Sequence, residues 1–165
     1  MFVAVGNNGR IQTSTDGATW TTRTSGTTSI IYATTYGNGI YAYGGVGGVL
    51  ATSTDAITWT ARTSGTVSTL NTLGYGNGIY AYAGTGGVLA SSTDAITWTS
   101  RTSGTTSIIQ GITYGNGLYF YVAQGGITGI STNGITWTSK TSGAAGGSGT
   151  TSAINSITYG NGLFL

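Results

Sequence analysis

The 165-residue chain contains no proline, cysteine, histidine or glutamate. Without histidine or cysteine, zinc and haem ligation, Ser-His-Asp and Cys-His nucleophilic catalysis, and any disulfide framework are excluded. Charge is nearly as scarce. Charged residues make up 5% of the chain, against roughly a quarter in ordinary soluble domains. The formal net charge of +2 comes from five basic and three acidic residues, too few for a basic patch that binds nucleic acid. No apolar run approaches the roughly 18 residues of a membrane-spanning helix, and no secretory signal pattern opens the sequence. Neither nucleic acid nor membrane is therefore an expected partner. So few titratable side chains also argue against proton-transfer chemistry, and no enzyme activity, cofactor or metal is expected.

What the chain has instead is glycine, 31 residues, and threonine, 34 residues. They are arranged in a repeat. Trp20, Trp59, Trp98 and Trp137 are each 39 residues apart, and Tyr36, Tyr75 and Tyr114 keep the same interval. Tyr159 follows after 45, the six extra residues falling in the small-residue stretch 143–149. Residues 40–78 and 79–117 share 28 identities in 39 positions, which points to recent duplication or to design. The repeats run 1–39, 40–78, 79–117 and 118–162 within one expected domain, with 163–165 overlapping the start of a further copy. A fixed period of this length is to be accounted for before any other feature.

Each copy is expected to form four short strands. In the second copy they span 69–75, 79–82, 88–93 and 96–101. Asn-Gly, which favours the positive φ angles of a type I′ hairpin turn, recurs at Asn38-Gly39, Asn77-Gly78, Asn116-Gly117 and Asn161-Gly162. Threonine, tyrosine, tryptophan and isoleucine suit a pleated, half-buried surface, and helix formers are few. Four-stranded antiparallel units of roughly 40 residues are the pattern of a β-propeller, built from blades that need apolar residues on both faces. A silk-like fibre is the competing assignment, disfavoured by turns that fix the strand register. The chain would form a four-bladed ring by itself, or an eight-bladed ring as a strand-sharing homodimer. Met1, Phe2 and Val3 occupy the same repeat position as Leu163, Phe164 and Leu165, so one set must yield at closure.

The segments from Ser14 to Trp20, Ser53 to Trp59, Ser92 to Trp98 and Ser131 to Trp137 resemble the Asp-box, or bacterial neuraminidase, repeat. That family's pattern is Ser-x-Asp-x-Gly-x-Thr-Trp on the hairpin between the third and fourth strands of a blade. Each copy here is one residue shorter, and alanine stands at the turn glycine in copies two and three. The resemblance implies a propeller with a peripheral, structural box and no sialidase chemistry, from a phage or secreted surface protein.

Several positions are candidates for function. Trp20, Trp59, Trp98 and Trp137 are expected to pack between blades, and Asp16, Asp55, Asp94 and Asn133 to cap turns. Arg23, Arg62, Arg101 and Lys140 each follow their Asp or Asn by seven residues, as solvated strand ends, exposed ion pairs or a ring of cations for an anion. Tyr32, Asn71, Gln110 and Asn155 fall mid-way along the strand nearest the propeller axis. They are expected to line a water-filled channel or an axial site for a small polar ligand. Tyr43, Tyr82 and Tyr121, replaced by Ala4 in the first copy, are candidates for ligand contact near a loop. Equivalent loops at equal spacing favour a non-catalytic scaffold or recognition module with multivalent binding, a glycan being the suggested target. The alternatives are a purely structural or designed ring without ligand, and a surface-protein fragment that mediates assembly.

Overall fold

A computed structural model describes residues 1–141 and 152–165. The expanded stretch 143–149 lies outside the described residues. The chain is all-β, a succession of antiparallel meanders. The first sheet is β1 (Phe2–Val5), β2 (Ile11–Ser14) and β3 (Thr21–Arg23). The second is β4 (Ile31–Gly37), β5 (Ile40–Gly45), β6 (Leu50–Ser53) and β7 (Thr60–Ala61). The third, β8 (Leu70–Gly76), β9 (Ile79–Gly84), β10 (Leu89–Ser92) and β11 (Thr99–Ser100), repeats it. So does the fourth, β12 (Ile109–Gly115), β13 (Leu118–Ala123), β14 (Ile127–Ser131) and β15 (Thr138–Thr141). A two-stranded sheet, β16 (Tyr159–Gly160) and β17 (Leu163–Phe164), follows.

Local chemistry places the turns. Asn38, Asn77, Asn116 and Asn161 take φ of 44°, 43°, 47° and 51°, each followed by a glycine near 80°, the pair that a type I′ turn requires. The second and third strands are joined by 3-10 turns at Asn7–Gly9, Val46–Gly48, Thr85–Gly87 and Gln124–Gly126. The outermost strands are shorter than the sequence suggests: only Thr99–Ser100 of 96–101 pairs. The preceding residues are taken up by the Asp94 turn, whose side chain caps the amides that a longer strand would have paired.

The sheets pack in series through their first strands, β4 against β8, β8 against β12, and β12 against β16, with β1 against β4. Three apolar clusters fill the steps between the larger sheets. Ile11, Ile31, Tyr43 and Ala51 form one, Leu50, Leu70, Leu73, Tyr82 and Ala90 the next, and Leu89, Ile109, Ile112, Tyr119 and Tyr121 the third. Glycine sets the approach. An added Cβ on Gly37, Gly76 or Gly115 would lie 2.1, 2.0 or 2.1 Å from the ring of Tyr75, Tyr114 or Tyr159 in the following sheet. Tyr80 and Tyr119 also donate their hydroxyls to the carbonyls of Gly37 and Gly76.

Within the single chain the two ends lie in separate sheets. Phe2 and Val3 lie in β1, paired with β2, while Leu163 and Phe164 lie in β17, paired with β16. No hydrogen-bonded strand pair joins the first and last sheets, so the four-bladed ring is not closed among the described residues. The expected first strand over 154–159 is reduced to β16, with residues 153–158 irregular.

The hairpin turns of the outer strands hold the acids. Asp16 Oδ1 accepts the amides of Ala18 and Thr19 at 2.9 and 2.8 Å and the Ser14 hydroxyl at 2.9 Å. Asp55 and Asp94 repeat this, and Asn133 does so with its amide oxygen. The amides of Thr19, Thr58 and Thr97, then those of Ala18, Ile57 and Ile96, hold the three carboxyls down at about 2. The folded state therefore favours the charged form. This contribution is complete above the unfolded carboxyl value, near pH 4, and drains away as the pH falls towards 2. Because Asp16, Asp55 and Asp94 are the three side-chain acids, changing all three to asparagine should flatten the acid limb. The parent's urea midpoint should fall between pH 5 and pH 2, and the variant's should hold nearly constant.

Candidate functional site

The polar positions on the inner strands are not joined to one another by hydrogen bonds. Register shifts between Ile31 and Ala33, Leu70 and Thr72, and Ile109 and Gly111 make Tyr32, Asn71 and Gln110 the extra residue of a β-bulge. Asn155 lies in the irregular segment before β16 and is exposed, as is Tyr32. Among the described residues, the one hydrogen bond made by these four side chains runs from Asn71 Nδ2 to the Ile109 carbonyl at 3.2 Å, a contact between sheets. No two of the four bond to each other.

Tyr43, Tyr82 and Tyr121 lie beneath the surface, not beside a ligand-accessible loop. All three are buried, and their hydroxyls donate to the carbonyls of Ser25, Ser64 and Ser103 at 2.7, 2.5 and 2.7 Å. Each reaches the loop that leaves the preceding sheet. Burial pushes the Tyr43 and Tyr121 phenols up, and that of Tyr82 to about 12. Their rings pack against Trp59, Trp98 and Trp137 at centroid separations of 5.0, 4.8 and 5.5 Å. The first copy has Ala4 in place of the tyrosine. Trp20 therefore lacks its stacking partner and is 39% exposed, whereas Trp137 is 9% exposed. The expectation of four evenly packed tryptophans is corrected at Trp20 for this reason.

What these tyrosines hold from below is a repeated cleft. Ser25 Oγ bonds within its own loop to Thr27 N and Thr27 O, and Thr27 Oγ1 accepts the Ser29 amide at 3.0 Å. Ser64 with Thr66, and Ser103 with Thr105, repeat the pattern. The 3-10 turn touches the same loop through Gly9, Gly48 and Gly87, at φ of 67°, 74° and 70°. A Cβ on these glycines would lie 1.8, 2.0 or 1.9 Å from the carbonyl oxygen of Thr27, Thr66 or Thr105. Only glycine allows the turn and loop to meet in this way.

Beside that junction each cleft carries an arginine. Arg23 Nε donates to Thr13 Oγ1 at 2.9 Å, Arg62 Nε to Thr52 Oγ1 at 2.8 Å, and Arg101 Nε to Ser91 Oγ at 2.8 Å. Each guanidinium is thus tied down by one nitrogen, and among the described residues its terminal nitrogens have no hydrogen-bond or ion-pair partner. Of the readings open for these positions, the ion pair is not made: among the described residues no ion pair joins these arginines to Asp16, Asp55 or Asp94, whose Oδ1 atoms accept hydrogen bonds within their own turns. The first cleft is the largest, an open groove of about 1150 Å³ with Arg10 added to Arg23; the second and third measure about 610 and 600 Å³. Lys140, exposed, stands at the fourth repeat's position. Oriented guanidinium donors without a neighbouring base suit recognition of an oxyanion and not proton transfer. The recurring Arg-Thr-Ser-Gly-Thr string was the available sequence signal. Its cradle could not be read there, because it depends on a tyrosine from the next sheet.

Replacing Tyr82 with phenylalanine leaves the Ser64 carbonyl unpaired in a buried site and should cost about 1–3 kcal/mol in urea unfolding. Tyr32→Phe, at an exposed position, should leave the midpoint unchanged.

No family model matches the chain, and no curated protein matches it either. Solved structures do. YCF48 bound to a D1 peptide superimposes with a TM-score of 0.68 at 15% identity, over 94% of this chain and 52% of that one. The computationally designed Ika8 protein gives a TM-score of 0.64 at 12% identity, over 98% and 53%. YCF48 from Cyanidioschyzon merolae gives 0.59 at 17% identity, over 84% and 52%. The likeness is one of fold: the chain shares the β-propeller architecture and spans about half the length of these structures.

Proposed function

We propose that the chain is a non-catalytic recognition scaffold whose repeated arginine clefts bind carboxylates on an extended partner. The observation that carries this is the placement of Arg23, Arg62 and Arg101. Each is anchored through Nε and offers free terminal nitrogens at the same position of successive sheets. A partner that presents acidic groups at regular intervals gains from engaging several clefts at once. The absence of catalysis is supported by the chemistry available: the three carboxylates are each held in a turn, and histidine, cysteine and glutamate are lacking.

Two finer choices belong to this proposal. A peptide is favoured over a glycan, because a propeller of similar fold, YCF48, has been captured with a D1 peptide. Equal spacing of the clefts is all that supports a glycan. The outer hairpins are Asp-box-like, supported by the Ser14–Asp16 bonding network and its copies.

An extended aspartate-rich peptide, tested by surface plasmon resonance beside a neutral peptide of equal length and a uronate polysaccharide, distinguishes these possibilities. The acidic peptide should bind, weaken as salt rises, and lose about tenfold in affinity or more when Arg62 and Arg101 are both changed to glutamine. Capture of the polysaccharide alone would replace peptide by glycan. Capture of none, or binding indifferent to the two arginines, would leave a purely structural propeller.

A further inference from the structure

The steps between sheets leave one knob and one hole unused. Tyr75, Tyr114 and Tyr159 sit on Gly37, Gly76 and Gly115, while the first tyrosine of the series, Tyr36, is 56% exposed. At the other end Gly160, which holds the same repeat position as those three glycines, has no atom within 4 Å of an added Cβ. The hydrogen bonds are unequal in the same way. Tyr80 and Tyr119 donate to the carbonyls of Gly37 and Gly76, but among the described residues the equivalent Tyr41 hydroxyl has no hydrogen-bond partner, and its ring packs on Tyr36 at 4.3 Å. The first sheet has three strands, with the inner edge of β1 unpaired, and Phe2 is 57% exposed beside it.

We infer that the two open surfaces are the halves of one interface, and that a second copy of this chain fills it: Tyr36 of each copy seats on Gly160 of the other. β16 of the second copy then becomes the missing inner strand beside β1. Since β17 and β1 hold the same register position, one must leave. β17 gives way, because it is held at two ladder positions and by the hydrogen-bonded pair of Thr158 and Leu165 beside them, whereas β1 is held along four residues by β2. Phe2 then takes the place that Phe164 occupies against Phe120, a centroid separation of 5.2 Å in the free chain. Done reciprocally, the exchange closes a two-fold ring and covers the inner edge of β1.

The test is the solution mass of the 165-residue chain by native mass spectrometry and light scattering, together with two variants. Gly160→Val fills the hole, at a position where an added Cβ has no described atom within 4 Å in the free chain, and Tyr36→Ala removes the knob. The parent should be a dimer, and each variant should raise the dissociation constant by about tenfold or more with unchanged circular dichroism. Gly115→Val, which strikes Tyr159 inside the chain, should instead lower the unfolding midpoint. A monomeric parent, a polydisperse ladder of species, or a dimer indifferent to Gly160→Val would overturn the inference. The outcome is independent of peptide binding, which the arginine variants report separately.

Discussion

Successive sheets can stack only as closely as a tyrosine ring lying on a bare glycine allows. At Gly37, Gly76 and Gly115 any side chain would enter the ring of Tyr75, Tyr114 or Tyr159. The same backbone serves as anchor, because the Gly37 and Gly76 carbonyls accept the hydroxyls of Tyr80 and Tyr119. Van der Waals contact and a buried hydrogen bond therefore act at one point, and both are lost if the distance between sheets changes. The apolar clusters add burial at each step. Burial alone is non-directional and would tolerate sliding. The glycine–tyrosine contact gives each step its register.

That constraint reaches the surface through the second strand. With the sheets in register, the hydroxyls of Tyr43, Tyr82 and Tyr121 meet the loop of the neighbouring sheet and fix the serine carbonyls. The loops then press against the Gly9, Gly48 and Gly87 turns and set the walls of the clefts where the arginines stand. The first two clefts are each lined by one repeat, and the loop of each is held from below by a tyrosine of the next. The low charge of the chain has the same logic. Each acid is confined to a turn, where its Oδ1 accepts the local donors, and among the described residues each arginine of the clefts' repeated position is held through Nε alone, with its terminal nitrogens left over.

Much of this architecture was legible in the sequence because it rests on local chemistry. Asn-Gly pairs, Asp-centred turns and a 39-residue period are visible without coordinates, and they correspond to the hairpins and four-stranded sheets observed. Properties that depend on a neighbouring repeat were harder to read. The bulge that removes Asn71 from the strand ladder leaves no mark on composition. Tyr82 resembles a free polar aromatic until the Ser64 carbonyl is known to lie above it. The exposure of Trp20 follows from Ala4, a substitution visible in the sequence whose consequence lies in the pairing of ring with ring. The recurring Tyr-Gly dipeptide was the one overlooked signal, since its glycine lies in a strand and outside any turn.

The central claim is that Gly76 and Tyr114 act as a single contact, and a double-mutant cycle addresses it most directly. Urea unfolding would be measured for Gly76→Ala, Tyr114→Ala and the pair together. Alanine at 76 should destabilise the parent by about 1–3 kcal/mol through overpacking and cost almost nothing once the Tyr114 ring is gone, a strong coupling between the two sites. Additive effects would contradict the account, and would show that the spacing of the sheets is set elsewhere.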